Sequence, residues 1–249
     1  MVFLEYVLAG VGVGLVFGIF GAGGSAFATP VLALIGVPPL YAVASPLPAM
    51  LPAAFNGARS YLRSGNLNRR IAKLAIFGGV PGTLVGALAS VLVGGNRLLL
   101  LSAAMLLVIG VRLLMRDSTG AAERASARRD RTVVVVSSAF VVGFLTGLLA
   151  NGGGFLLVPV FILILGLTAI EAAGTSMVVV GVLTVPTLIM HWALGHIDWI
   201  VAGGFAIGLI PAAAVGARLA QHIPPARARM AFGTMLVVFA AWFLYHQLS

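Results

Sequence analysis

The sequence Gly18-Ile19-Phe20-Gly21-Ala22-Gly23-Gly24-Ser25-Ala26-Phe27-Ala28-Thr29-Pro30 places a cluster of glycines in the middle of an apolar run. A second copy is Gly147-Leu148-Leu149-Ala150-Asn151-Gly152-Gly153-Gly154-Phe155-Leu156-Leu157-Val158-Pro159. Glycines that interrupt a helix in a bilayer leave backbone N–H and C=O groups unpaired, and lipid offers these groups no partner. Two such breaks in corresponding positions of two halves predict a binding site.

The composition around these clusters indicates a membrane protein. The chain is 61% hydrophobic and 8% charged, with a mean hydropathy of +1.13, whereas soluble domains carry about 25% charged residues. At about 20 residues per span, 249 residues provide roughly eight to ten membrane segments. We therefore predict an all-α, polytopic helix bundle in the cell (inner or plasma) membrane, without room for a soluble catalytic module.

The net charge of +9 does not indicate nucleic-acid binding. The arginines occur in short connections between apolar runs, a pattern typical of cytoplasmic loops. The chain has no cysteine, which excludes disulfides and thiolate metal sites. We expect the partners to be the lipid bilayer and a small solute, without nucleic acid.

The first apolar run, from about residue 6 to residue 36, is too long for one straight crossing. Its glycine cluster divides it into a piece ending near Phe20 and a piece from Ser25 to Ile35, each too short to cross comfortably. We predict a hairpin of two half-helices that returns to its own side. The next span contains Pro46, Pro48 and Pro52 and is expected to be irregular.

The second half of the chain repeats the first. The predicted domains are membrane repeat 1 (1–115), a polar cytoplasmic linker (116–131) and membrane repeat 2 (132–249). Shifts of 129 and then 130 residues align the halves end to end; the aligned pairs include Gly18 with Gly147, Pro30 with Pro159, Ser45 with Thr175 and Pro81 with Pro211.

The charges of equivalent loops differ between the halves, which predicts inverted repeats. The loop with Arg63, Arg69 and Arg70 corresponds to a stretch, 194–199, without lysine or arginine. With each glycine run as a returning hairpin, only Arg97 of the basic residues lies outside, as the positive-inside rule prefers. Both termini are then outside the cell, and the linker is in the cytoplasm.

Half-helix N-termini bind anions through unpaired N–H groups and the positive end of the helix dipole. We predict such N-termini at the two glycine clusters, with nearby hydroxyl and amide groups adding donors. The candidate substrate-binding residues are Gly23, Gly24, Ser25, Ser45, Asn56, Asn151, Gly152, Gly153, Gly154, Thr175 and Ser176. Candidates for gating or proton transfer are Arg59, His191 and Glu171.

Each of these residues also has a purely structural interpretation. The glycines could serve close helix packing, and the hydroxyls could bond carbonyls of their own helix. Arg59 could extend to the membrane interface. The intramembrane stretches contain no carboxylate pair, HExxH, nucleophile elbow or P-loop, so we predict no enzyme, no cofactor and no metal site.

The two Gly-x-x-x-Gly-x-x-x-Gly-Gly...Pro patterns, followed by Ala42-Val43-Ala44-Ser45-Pro46 in one half and Ala172-Ala173-Gly174-Thr175-Ser176 in the other, resemble the TauE/SafE sulfite exporter family. The resemblance covers nearly the whole chain. It implies transport of a small anion such as sulfite, sulfoacetate, a related organosulfonate or a carboxylate, coupled to an ion gradient. Ser25 stands where the second copy has Gly154, which puts equal roles for the two hairpins in doubt.

We therefore predict a secondary transporter of small anions that works by alternating access, with a proton or a sodium ion as the coupling ion. The first alternative is an anion channel built on the same repeats. The second is an accessory membrane subunit, which would need no polar site at the middle of the bilayer. Saturable, uphill flux separates the transporter from the channel, and absence of flux favours the subunit.

Overall fold

The computed structural model describes residues 2–21, 26–93, 95–115, 132–149 and 154–248, and its regular elements are α-helices. The predicted linker lies outside the described residues. The helices are α1 (Val2–Ile19), α2 (Ala28–Leu34), α3 (Pro39–Ala44), α4 (Leu47–Arg63), α5 (Arg69–Val93), α6 (Gly95–Leu114), α7 (Thr132–Leu149), α8 (Gly154–Leu163), α9 (Ala169–Ala193), α10 (Trp199–Ala220) and α11 (Pro225–Leu248).

Five helices in the described part of the chain are long and apolar enough to span a membrane: α1, α5, α7, α9 and α10. The all-α membrane fold is thereby confirmed. The prediction that the first piece is too short to cross is wrong for α1, because the helix begins at Val2 and not near Tyr6. Its 18 residues extend about 27 Å, close to the thickness of the hydrocarbon core.

The proline-rich second span is irregular, as its sequence predicts. Helix α3 ends at Ala44, and α4 begins at Leu47 after Ser45 and Pro46. The corresponding stretch of the second half is the single 25-residue helix α9. Thr175-Ser176 keeps the helical N–H that Pro46 lacks, so α9 continues where the first half breaks.

Two pairs of helices pack closely through glycines. Helix α1 lies along α10, and α5 lies along α7. A Cβ atom added at Gly14 would lie 2.9 Å from the Ala212 side chain, and one at Gly82 would lie 2.8 Å from the backbone nitrogen of Phe144. Such short approaches are typical of membrane bundles, where van der Waals packing holds the helices together.

The contacts also give the directions of the helices. Gly10 faces Phe205 and Gly18 faces Ala217, so α1 and α10 run parallel; α5 and α7 are parallel in the same way. Helices α4 and α9 run antiparallel, because Tyr61, near the end of α4, meets Gly174, near the start of α9. The bundle thus contains one group running in one direction (α1, α4, α10) and one running in the other (α5, α7, α9).

Basic residues gather at one end of this bundle. The end of α4, the start of α5, the end of α10 and the start of α11 carry Arg63, Arg69, Arg70, Lys73, Arg218, Arg227 and Arg229. The opposite end includes the first turn of α10 with Asp198. Large apolar side chains cover the outside, such as Phe77 at 75% exposure, as expected of a surface facing lipid tails.

Candidate functional site

The first helix of the first half ends in a cluster of polar contacts, which we name the first-break cluster: Gly18, Gly21, Tyr61, Ala173 and Thr175. The buried Tyr61 hydroxyl, from α4, donates to the carbonyl of Gly18 at 3.0 Å and lies 3.3 Å from that of Ile19. These carbonyls lack partners within α1, because the helix ends at Ile19. Tyr61 therefore fixes the end of α1 beside the glycine run.

Gly21 continues this cluster. Its φ is +71°, a conformation that glycine adopts without steric cost. A Cβ atom there would lie 2.5 Å from the Cα of Ala173 in α9. The chain leaving α1 thus passes directly against the start of α9, next to the predicted site residues Thr175 and Ser176.

Both hydroxyls of this pair are buried and hydrogen-bonded. Thr175 Oγ1 accepts from the backbone N–H of Asn68 at 3.0 Å, and Asn68 Oδ1 accepts from the N–H of Ile71 at the start of α5. Ser176 Oγ donates to the carbonyl of Ala173, one turn earlier in the same helix. Thr175 thus joins the second half of the chain to the first, whereas Ser176 makes a local bond.

The second half contains a corresponding arrangement, the second-break cluster: Gly147, His191, His196, Ser45 and Asp198. His191, 2% exposed, places Nε2 3.4 Å from the carbonyl of Gly147 near the end of α7, and its Nδ1 lies 3.1 Å from Nδ1 of His196. His196 lies in the connection between α9 and α10, where burial lowers its pKa. His191 occupies the position of Tyr61, shifted by the repeat offset.

Ser45 completes the correspondence. Its Oγ accepts from the backbone N–H of Asp198 at 3.0 Å, and Asp198 Oδ1 accepts from the N–H groups of Ile200 and Val201 at the start of α10. Ser45 and Asp198 align with Thr175 and Asn68 in the two halves. Each half therefore uses a hydroxyl to hold the start of a helix that belongs to the other half.

The predicted site residues thus fall into two clusters. Ser45 lies at the end of the α4–α9 pair near Leu188, since Leu188 packs against a buried cluster that includes Val43, Ala44 and Leu47. Thr175 lies at the other end, beside Asn68. Thirteen helical residues separate positions 175 and 188, or roughly 20 Å, so the structure does not bring the two hydroxyls together. Gly154 begins α8.

Other predicted residues lie elsewhere. Asn56 and Arg59 are on an exposed face of α4, and Glu171 forms a capping box with Thr168 at the start of α9. The stabilisation of a helix start accounts for the position of Glu171. Six predicted residues lie outside the described part of the chain: Gly23, Gly24, Ser25, Asn151, Gly152 and Gly153.

The sequence interpretation missed several polar residues: Tyr61 and His196 within the clusters, Asn68 beside the first of them, and Thr184 and Arg229 outside both. Among the described residues, Thr184 Oγ1 and Arg229 Nε are buried without a hydrogen-bond partner. Arg229 lines a small, partly open cleft next to Phe20, just after the end of the first helix. The alignment of the two halves could have found Tyr61, because Tyr61 aligns with His191, which the sequence analysis had chosen as a candidate. Arg229 aligns with Leu99, so the alignment contained no signal for it.

Together, the apolar helices of the described residues define a multi-pass membrane protein. The chain belongs to the family described as Sulfite exporter TauE/SafE, whose profile matches residues 6–243. This confirms the resemblance noted from the glycine motifs.

Curated relatives match this chain over most of its length and of their own. A "Probable membrane transporter protein" of Xylella fastidiosa (strain 9a5c) is 28% identical over 242 residues, covering 94% of this chain and 91% of the relative. "Probable membrane transporter protein YunE" of Bacillus subtilis (strain 168) is 25% identical over 246 residues, covering 90% and 89%. No solved structure matches the chain.

Proposed function

We propose that this protein is a secondary transporter that moves a small sulfur-containing or carboxylate anion by alternating access between its two halves. One observation carries the proposal: two equivalent clusters, at opposite ends of the bundle, each hold the end of an interrupted helix through a residue at the same repeat position, Tyr61 and His191. The description of the family as a sulfite exporter supports the substrate class.

The helix directions support an inverted repeat. The first helices of the halves, α1 and α7, belong to groups that run in opposite directions, as do α4 and α9. Inversion gives the same site two alternative exits, one through each break, and this is the usual basis of alternating access in secondary transporters. If the hydrogen bonds from Asp198 to Ser45 and from Asn68 to Thr175 break and re-form, the halves would be able to rotate as rigid bodies.

The anion would be bound by backbone N–H groups of the glycine runs. Gly23, Gly24, Ser25 and the stretch 151–154 remain our proposed substrate contacts, and Gly154 supplies the first N–H groups of α8. Arg229 adds a positive charge at the basic end of the bundle, where the buried Nε lacks a protein partner. A guanidinium binds sulfonate or carboxylate oxygens through its fixed donors.

Reconstituted protein tests this function. Proteoliposomes are assayed with sulfite, sulfate, thiosulfate, sulfoacetate and short carboxylates, with empty liposomes as the control. We expect saturable uptake of at least one anion and its acceleration by the same anion trapped inside. Flux that does not saturate would indicate a channel, and absence of flux with every anion would favour an accessory subunit.

The orientation has its own test. The termini are proposed to be outside and the linker in the cytoplasm, since the basic residues gather at the end of the bundle where α7 begins after the linker. Single cysteines replacing Ala125 and His196 in this cysteine-free chain are labelled with an impermeant thiol reagent. We expect labelling at position 196 and not at 125; the opposite result would reverse the orientation.

A further inference from the structure

The second-break cluster contains two imidazoles in direct contact. The ring centroids of His191 and His196 are 5.4 Å apart, and the two Nδ1 atoms are 3.1 Å apart. One of these nitrogens must carry a hydrogen and the other a lone pair, because two N–H groups cannot bond each other. The contact therefore constrains the protonation of both rings.

The contact with Gly147 decides which ring carries the shared hydrogen. A carbonyl oxygen only accepts, so the 3.4 Å contact with His191 Nε2 requires a hydrogen on Nε2. In the neutral ring, His191 Nδ1 is then an acceptor, and His196 Nδ1–H is the donor. This leaves His196 Nε2 as the basic nitrogen of the pair.

Comparison with the first half shows what the histidine pair adds to the second half. Tyr61 donates to Gly18 from the equivalent position, but a phenol does not gain a proton in the physiological range. Asn66 occupies the position of His196, and its amide also does not titrate. The equivalent helix ends are therefore held by a group without proton chemistry in one half and by a histidine pair in the other.

We propose that His191 and His196 bind and relay the proton that drives transport; this inference rests on the proposed function and identifies its coupling ion. A proton from the outer solution binds His196 Nε2, the hydrogen on His196 Nδ1 moves to His191 Nδ1, and the positive charge passes to His191. His196 is then neutral with its hydrogen on Nε2, and His191 carries hydrogens on both nitrogens.

The position of His191 connects this proton to the second glycine break. A cation at the C-terminal end of a helix is stabilised by the helix dipole, and its bond to the Gly147 carbonyl becomes charge-assisted. Protonation thus tightens the end of α7, immediately before the proposed anion contacts at 151–154. Deprotonation releases it.

Few other ionisable groups lie at this end of the bundle in the described residues. Ser45, just before α4, bonds Asp198, and Thr83 of α5 faces Gly147; neither side chain titrates. Asp198, two residues after His196, uses Oδ1 to bond N–H groups of α10. Glu5, on α1 beside α10, is exposed.

The experiment uses proteoliposomes with internal sulfoacetate and a trapped pH dye. The outer pH is varied from about 7.5 to about 4.5, because histidines ordinarily titrate near 6.5 and burial lowers the pKa of His196. Wild type should move protons with sulfoacetate, and the apparent affinity for sulfoacetate should change roughly tenfold with pH, a typical coupling between two binding sites. His191→Tyr keeps a donor for Gly147 as in the first half. It should lose proton movement and the dependence of sulfoacetate flux on pH, while elution as a monodisperse species with wild-type thermal stability shows that the variant is folded.

His222→Gln is the matched control, because His222 is an exposed histidine near the basic end, and it should behave as wild type. If His191→Tyr does not fold, His196→Gln replaces it and should also abolish proton movement. Proton movement that survives in a folded His191 or His196 variant overturns the relay. Wild-type sulfoacetate flux without proton movement overturns it too, whereas absence of flux with every anion of the uptake panel refutes the proposed function instead.

Discussion

Replacement of Thr175 by valine separates two roles for this residue, binding of the anion and joining of the two halves. Valine has nearly the shape of threonine, so no cavity forms in the buried site. The change removes the acceptor that Asn68 N–H uses at 3.0 Å. A buried donor without a partner costs about 1–3 kcal/mol in soluble proteins, and hydrogen bonds between membrane helices average about 0.6 kcal/mol with a maximum near 1.7.

We therefore expect Thr175→Val to lower the free energy of unfolding by about 1–2 kcal/mol, and the unfolding temperature by roughly 3–6 °C. The apparent affinity for the transported anion should change less than about twofold. If the hydroxyl instead bound the anion, loss of a hydrogen bond to a charged group, about 1.5–3 kcal/mol, would weaken affinity roughly 10- to 150-fold.

Thermal unfolding of the purified protein in detergent measures the first quantity, and concentration-dependent uptake into proteoliposomes measures the second. Thr146→Val is the matched control, because the Thr146 hydroxyl is also buried but donates only to Val142 of its own helix. It should change stability by no more than about 0.5 kcal/mol. Equal stability of the two variants, combined with lost affinity in Thr175→Val, would refute the structural role.

Three further predictions follow from single positions. Gly82→Ala should lower the free energy of unfolding by about 1–3 kcal/mol, because the added methyl group strains the contact with α7. Gly203→Ala meets nothing within 4 Å and should raise the free energy of unfolding by up to about 1 kcal/mol; equal effects in thermal unfolding would show that the close packing is unimportant. Arg229→Gln should raise the half-saturating anion concentration roughly tenfold, as expected for the loss of one hydrogen bond to a charged group. The measurement is uptake with the anion supplied at the basic end of the bundle. Arg227→Gln, at an exposed residue, should leave this concentration unchanged. Gly153→Leu should abolish flux in protein that still elutes as a monodisperse species; if expression falls with activity, the glycine serves packing instead.

The sequence by itself determined the class of protein and the positions of several helix ends. Hydropathy and the small number of charges predict membrane helices because burial of apolar segments in lipid needs no tertiary information. Glycine and proline act on the local backbone, so the end of the first helix near Phe20 and the break at Ser45-Pro46 could be predicted from those residues. The start of α1 at Val2 could not, since helix termini depend on weak local preferences.

Tertiary structure decided which polar groups meet. Ser45 bonds Asp198, and Thr175 bonds Asn68, over distances in sequence at which no local pattern gives a signal. The antiparallel packing of α4 and α9 then separates the two hydroxyls that the sequence had placed in one site. His196 became part of the candidate machinery only because the α9–α10 connection folds back onto His191. The repeat predicted from the sequence gives equivalent positions, but only the packing of the two halves against each other determines which of these positions touch.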